Sequence, residues 1–236
     1  MSLTVYIGYD PAEHDAYLVA RHSVLKHAPD VRVVPLCLDR LVMSGLLWRP
    51  TCIHQGQAWD AISNAPMSTE FAISRFLVPI LHQDGGHALF MDCDMIALDD
   101  VRKLLDYGAD VAVRCVQHQH EPRELNKMCG KKQTSYPRKN WSSFMLFNCE
   151  HPANSWLTLR QVNEWPGRKL HALAWLQDNE IGDLPAGWNW LVNVQPPPDA
   201  VHVAHFTLGG PWLDDWEPQD HDNLWWQAWD ECRGAR

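Results

Sequence analysis

The sequence predicts a single α/β domain: a mostly parallel sheet flanked by helices, within a chain of 236 residues. Three observations predict it. Short β-rich apolar runs alternate with segments of helical period. The run at 87–91 is apolar at nearly every position, as a strand covered on both faces must be. No internal repeat or low-complexity linker divides the chain, and a composition of 46% hydrophobic and 21% charged residues is enough apolar material for one full core.

Taken in order, residues 3–9 form a β-rich run closed by Asp10-Pro11, and a helical period follows over 12–27 until Ala28-Pro29 ends it. Residues 31–38 read as a second strand. Residues 68–81 read as a helix begun by a Ser-Thr-Glu cap region, and 87–91 as a third strand. Residues 111–113 and 144–147 look like further strands. In sheets of this kind ligands bind beyond the carboxyl ends of the strands, so Tyr9-Asp10 and the residues after Met91 are where chemistry is expected. The expected division is one domain over 1–216, with an acidic, Trp-rich C-terminal segment over 217–236 packed on it.

Charge and cysteine usage exclude several classes. The formal net charge of −9 disfavours duplex nucleic acid bound over a broad face. Seven cysteines, odd in number and without a Cys-x-x-Cys pair, argue for reduced thiols in a cytoplasm and against a zinc knuckle or disulfide scaffold. No stretch reaches the ~18 apolar residues that span a bilayer, and no leader pattern opens the chain, so a soluble cytoplasmic protein without stable membrane insertion is expected. The charge is uneven. Residues 123–139 carry Arg123, Lys127, Lys131, Lys132, Arg138 and Lys139 against Glu124 alone, in what reads as a basic loop. The C-terminal stretch reverses the sign, with Asp214, Asp215, Glu217, Asp220, Asp222, Asp230 and Glu231.

Two clusters could carry chemistry. Asp92 and Asp94, at i and i+2, follow directly on the apolar strand, where carboxylates are costly to bury without a cation. Hard oxygen ligands at a strand end suit Mn²⁺ or Mg²⁺, which in turn bind the pyrophosphate of a nucleotide. The plain alternative is a polar strand exit capped by Asp94. Further on, a run at 201–206 delivers His205 to a Gly209-Gly210-Pro211-Trp212 turn. There the imidazole would be a third metal ligand and the backbone N–H groups would face a phosphate. A core histidine beside a tight turn is the alternative. Thirteen tryptophans are also unusual. Most fit a large apolar core, and Trp141, Trp188 and Trp212 are the best placed to line an acceptor pocket, because indoles stack on sugar faces and bases. His118 and His120 read as solvated histidines of a polar loop.

Together these pieces resemble a GT-A glycosyltransferase, most similar to family 8, the retaining enzymes that include bacterial lipooligosaccharide galactosyltransferases and glycogenin. The resemblance spans residues 3–216 and rests on an ordered set: Tyr9-Asp10, the helix from Thr69 to Pro79, Asp92-Cys93-Asp94, the strand from Trp141 to Asn148, Gln177-Asp178-Asn179, Trp188-Asn189 and the His205 turn. It implies a Rossmann-like GT-A fold and a metal-dependent transfer of sugar, with retention, from a nucleotide-sugar donor, a UDP-sugar, to an acceptor hydroxyl. It further implies that Asp92, Asp94 and His205 hold Mn²⁺ (or Mg²⁺), and that Tyr9 and Asp10 contact the nucleoside. Arg75 would reach the donor sugar or diphosphate, and Ser142, Ser143, Gly209, Gly210 and Trp212 would complete the donor site. Asp178 or Asn179 would stand near the anomeric carbon.

Two departures accompany it. The usual lysine of the terminal His-x-x-Gly-x-x-Lys-Pro-Trp pattern is missing, which points to the 123–139 loop for a cation on the diphosphate, and Ser142-Ser143-Phe144 replaces the usual Asn-Ala-Gly. The acceptor stays open among a glycan, a protein and a modified DNA base. Competing readings are a nucleotidyltransferase of the same fold, which would carry a Gly-rich basic signature after the first strand, and a noncatalytic sugar- or nucleotide-binding domain.

Overall fold

The computed structural model describes residues 3–54, 57–119, 138 and 140–234. Strand β1 (Thr4–Tyr9) is buried along most of its length and ends at Asp10. The Asp10 carboxylate accepts from the Ala12 N–H at 3.0 Å. Pro11 opens a 3₁₀ turn and helix α1 (His14–His27) follows. Ala16, Val19, Ala20, Ser23 and Val24 recur at helical spacing and bury one side of α1. The Ala28 N–H returns to the Val24 carbonyl, and Pro29 cannot continue the helix. The chain then forms β2 (Arg32–Cys37), α2 (Leu38–Met43) and a small antiparallel sheet of β3 (Thr51–His54), β4 (Gln57–Asp60) and β5 (Ala65–Pro66).

The continuous helix expected over 68–81 does not form. That stretch is a set of tight turns, a 3₁₀ segment at Ser74–Leu77 and the single-turn α3 (Val78–Leu81). Pro79 has no N–H to give the Arg75 carbonyl, and the turns close through i→i−3 bonds such as Ala72 N–H to Thr69 O at 3.2 Å. The tighter winding lays the Phe71 ring on Gly8, where any Cβ would come within 2.4 Å of it.

The rest comprises β6 (His87–Met91), β7 (Met95–Ala97), β8 (Val113–Cys115), β9 (Phe144–Asn148), α4 (Leu159–Glu164), α5 (Gly167–His171), β10 (Ile181–Asp183), β11 (Trp190–Leu191), β12 (Val203–His205) and α6 (Asp222–Gly234). The strand expected at 111–113 begins only at Val113. The six-stranded sheet runs β10-β8-β9-β6-β1-β2, with β9 antiparallel to both neighbours and the other strands parallel. The mostly parallel α/β architecture is therefore the one observed. A second sheet, β11-β12-β7, pairs His205 opposite Met95. Within 217–236, α6 lies along α1, where Lys26 meets Glu231 at 2.7 Å. Trp225 and Ala228 of α6 close a second apolar cluster with Val19, Ile96 and Trp190.

Candidate active site

Because β9 runs against β1 and β6, its first residues arrive at the same sheet edge as the carboxyl ends of those strands. Along that edge stand Tyr9-Asp10 from β1, then Asp92 from β6, then Ser142-Ser143 ahead of β9. The Asp92 N–H donates to the Ser143 carbonyl at 3.0 Å, fixing the exit from β6. Between β6 and β7 the chain alternates. Cys93 turns into the core with its thiol 3.6 Å from Glu13 Oε2, while Asp92 and Asp94 line a cleft of about 430 Å³. Burial, reinforced by Glu13 and the two aspartates, pushes the Cys93 thiol well above its ordinary range and keeps it an inert packing group.

The antiparallel register of β7 and β12 brings His205 to this exit. The Phe206 N–H bonds the Asp94 carbonyl at 2.9 Å, and His205 Nε2 sits 3.4 Å from Asp94 Oδ1. One oxygen each from Asp92 and Asp94 and one nitrogen of His205 lie within 4.8 Å of one another. The tautomer follows from the network behind the ring. Asn189 Nδ2 donates to Ser143 Oγ at 2.9 Å. Asn189 Oδ1 therefore faces His205 Nδ1, at 2.8 Å, and accepts a hydrogen bond from its N–H. The Nε2 lone pair is thereby directed to the aspartates, an arrangement typical of metal-ligating histidines. Two carboxylates and one oriented imidazole are a donor set that fits Mn²⁺ or Mg²⁺.

Arg75 is the buried cation beside the cluster. Its Nη1 contacts Asp92 Oδ1 at 2.9 Å. The same nitrogen donates to the Ser142 carbonyl at 2.8 Å. Its guanidinium lies 4.9 Å from the centre of the Phe90 ring, a cation–π contact. Next to it on the cleft wall is His171. Its Nδ1 meets Ser142 Oγ at 2.7 Å. Burial and then the Arg75 charge lower the His171 pKa to about 3, so the imidazole is neutral. The Thr69 hydroxyl, buried on the same wall, has no hydrogen-bond partner among the described residues.

A buried pair holds another part of the cleft lining. Arg49 Nη2 contacts Asp60 Oδ2, while its Nη1 donates to the Val162 and Trp165 carbonyls at 2.9 and 2.8 Å. Asp60 in turn binds Ser63, whose Oγ accepts from the Gly167 N–H at 2.7 Å. Burial alone would raise the Asp60 pKa, but hydrogen bonds from Arg49 and Ser63 outweigh it and leave the carboxyl below its ordinary range.

Other expected residues lie elsewhere. Tyr9 is not a cleft-lining residue; its hydroxyl meets His14 Nδ1 at 3.2 Å and its ring packs edge-on against Tyr17. Asp10 fastens the start of the 68–81 stretch by accepting from the Glu70 N–H at 3.1 Å. Asp178 and Asn179 occupy an exposed 3₁₀ turn outside the cleft, with the Asp178 side chain 91% exposed and paired to Arg138. Gly209 (φ 108°) and Gly210 let the chain fold Trp212 back over itself. A Cβ on Gly210 would fall 2.1 Å from that ring.

Of the tryptophans expected at an acceptor pocket, Trp188 is buried while Trp141 and Trp212 are half-buried, and none lines the cleft among the described residues. Trp212 sits on Phe206 and Trp225, and Trp188 is buried against His202 and Phe144. Trp141 is half-buried under Arg138 and donates to the His118 carbonyl at 3.0 Å. Their large apolar area outweighs any advantage of a surface position. His118, expected in solvent, is buried beside His205; desolvation and then that neighbour lower its pKa to about 4. The basic loop of 123–139 and His120 lie outside the described residues except for Arg138. Arg49, Asp60 and His171 carry no local pattern in the sequence. Contacts over long separations, such as Arg49 to Val162, create their roles.

Comparison with known proteins places this geometry. No protein-family model matches the chain. The glycosyltransferase GlyE of Streptococcus pneumoniae TIGR4 superposes with a TM-score of 0.59 at 11% identity, over 100% of this chain and 63% of that one, so this chain spans less than two thirds of GlyE. The galactosyltransferase LgtC, solved with donor and acceptor sugar analogs, gives 0.55 at 14% identity over 98% and 95% of the two chains. Mouse xyloside xylosyltransferase 1 gives 0.52 at 11% identity, over 87% and 97%. At these identities the likeness is one of fold, the GT-A type shared by these transferases. Closer in sequence is Protein CDI of Arabidopsis thaliana, 41% identical over 234 residues, covering 96% of this chain and 86% of that protein. The chain belongs to the family of Protein CDI.

Proposed function

We propose that the chain is a metal-dependent glycosyltransferase of the family 8 kind, moving a sugar from a nucleotide-sugar donor, a UDP-sugar, to an acceptor hydroxyl with retention. The observation that carries the reading is the Asp92, Asp94 and His205 cluster, within 4.8 Å, opening into the cleft at the end of β6. Cleavage of a sugar nucleotide develops positive charge at the anomeric carbon and further negative charge on the leaving diphosphate. A Mn²⁺ or Mg²⁺ ion held by Asp92, Asp94 and His205 would supply Lewis-acid stabilisation of that leaving group. Asn189 keeps His205 in the ligating tautomer. Arg75 balances the charge of Asp92 before substrate enters and offers a second cation to the diphosphate; the end of β1, where Tyr9 and Asp10 stand beside rather than in the cleft lining, is the side we propose for the nucleoside. Ser142 and Ser143 line the sugar side, and the Thr69 hydroxyl is available to a polar ligand.

With Asp178 and Asn179 on an exposed turn, we assign neither a role in bond cleavage; the departing phosphate takes the acceptor's proton on the face it leaves. Asp178 instead pairs with Arg138, the described residue of the basic stretch. The acceptor is a glycan, protein or modified-base hydroxyl presented along the Asp60 to Arg168 wall. No helix among the described residues is long and apolar enough to cross a membrane. The free thiols of Cys93 and Cys115 fit the reducing cytoplasm we propose as its location.

Hydrolysis of UDP-sugars with and without Mn²⁺ tests the reading, with release of UDP expected only when metal is present. Asp94→Ala should abolish metal-dependent donor binding in calorimetry. Metal-independent turnover, or donor affinity unaltered by Asp94→Ala, overturns the assignment. Incorporation of nucleotide from a nucleoside triphosphate and a sugar phosphate would favour the nucleotidyltransferase reading instead.

A further inference from the structure

The small antiparallel sheet presents an open edge outside the cleft lining. Its strand order is β3-β4-β5, which makes β3 an edge strand, and all four residues of β3 are exposed. The Ala61 N–H donates to the Pro50 carbonyl at 3.0 Å, and the Met67 N–H donates to the Ala58 carbonyl at 2.8 Å. Main-chain bonds of an antiparallel pair alternate along each strand. With Pro50 bonded towards β4 and Ala58 towards β5, it is Cys52 and His54 that bond to β4, opposite Trp59 and Gln57. Thr51 and Ile53 turn their N–H and C=O groups outward, and no partner meets them among the described residues.

Such edges are usually blunted by charge, by proline or by a covering element. β3 reads Thr-Cys-Ile-His and carries neither a charged residue nor a proline. Val42, Met43, Trp48 and Ile53 are four of the seven large apolar side chains exposed among the described residues, and all fall within 42–53. Charge permits a close approach there. Asp39 and Arg40 cancel, and Arg49 is paired with Asp60. The stretch from α2 to β3 is therefore neutral within a chain of net charge −9, so two copies can meet through it without the repulsion that their net charge otherwise imposes.

We propose that a second copy of this chain pairs with the open edge, β3 against β3 in antiparallel register, with the two-fold axis at Cys52. A contact of this kind is self-complementary and closes on itself. Thr51 of each protomer meets Ile53 of the other, each such pair exchanges two main-chain hydrogen bonds, and the two small sheets become one sheet of six strands. Cys52 then faces its own symmetry mate in the non-hydrogen-bonded position, where Cα atoms stand about 4.5 Å apart, within the range that a disulfide spans. The thiols lie on a face of the sheet, so both stay open to solvent. The pairing also braces the cleft, because β4 carries Asp60 and leads into Ser63, Asn64, Ala65 and Pro66 of its lining. Nothing in it depends on which group the cleft transfers.

Sedimentation velocity of the full chain over a concentration series reads the assembly, and a dimer is expected. Ile53→Lys leaves the bonds to β4 in place, since Ile53 makes none of them, and sets like charges on the paired edges. It should raise the dimer dissociation constant about tenfold or more. Oxidation of the wild-type protein with copper(II) phenanthroline should join Cys52 of one copy to Cys52 of the other, identified by peptide mapping, and Cys52→Ser should remove that link. Three results overturn the proposal: a chain that stays monomeric at about 100 μM, a dimer as tight in folded Ile53→Lys as in wild type, or a dimer in which Cys52 does not cross-link. Should Ile53→Lys fail to fold by circular dichroism, the wild-type cross-link decides alone.

Discussion

Replacing Asn189 with leucine isolates the group that orients the metal ligand from the ligand itself. Asn189 is fully buried. Its Oδ1 accepts from His205 Nδ1 at 2.8 Å, and its Nδ2 donates to Ser143 Oγ at 2.9 Å. Leucine has a similar volume and no acceptor, so the imidazole loses the bond that keeps Nε2 aimed at Asp94. Partners of this kind tune metal affinity by about 10- to 100-fold, or about 1.4–2.7 kcal/mol. A parallel loss of about 1–3 kcal/mol in folding stability is expected from the Nδ1–H left buried without an acceptor. Titration of Mn²⁺ into the folded variant by calorimetry reads the first quantity and urea denaturation the second. Asn189→Asp, which keeps an acceptor, should retain Mn²⁺ affinity within about threefold. A folded Asn189→Leu protein that binds Mn²⁺ within twofold of wild type would show that His205 does not ligate through the geometry described.

Asp60→Asn leaves the Arg49 guanidinium buried without its carboxylate, and urea denaturation should register a loss of about 3–5 kcal/mol. His118 is buried with its pKa lowered from 6.5 to about 4, so the native state resists a proton that the unfolded chain accepts. Its stability contribution is complete above pH 6.5 and falls as pH drops from 6.5 towards 4. Denaturation midpoints at pH 7.5 and 4.5 should therefore converge in His118→Phe relative to wild type, and an unaltered difference would contradict the burial of that ring. A thiol reagent applied to the native protein should modify exposed Cys52 quickly and spare Cys93 and Cys115. Burial pushes the Cys115 thiol up to about 12; peptide mapping after alkylation tells the three apart.

What was legible in the sequence was local. The apolar run of β6, the Asp10-Pro11 start and Ala28-Pro29 end of α1, and the aspartates following Met91 all sit next to the residues that define them, so pattern alone located them. The 68–81 stretch misled because its cap and period fit a helix, while Pro79 and the buried Arg75 impose tighter turns. The aromatic features misled for another reason. Indoles placed beside motifs in sequence have a large apolar area to bury, and tertiary packing drew Trp188 inward and laid Trp212 on Trp225. Helix α6 was readable in principle, since Trp225, Ala228 and Cys232 recur at its buried spacing, but the acidic residues around them masked the pattern. His171 and Arg49 had no local signature, because burial and distant partners give them their chemistry.

The pairing of β7 with β12 makes the site unequally tolerant of insertions and deletions. His205 faces the aspartates only because it lies opposite Met95 in an antiparallel register, and adjacent strand residues point to opposite faces. The chain between the two strands carries β8 to β11, and only its surface loops can change length at a closure cost that grows slowly. A single residue gained or lost within Met95–Ala97 or Val203–His205 would turn the imidazole away from the cleft while leaving the six-stranded sheet intact, and so would yield folded relatives that cannot assemble the three-ligand cluster.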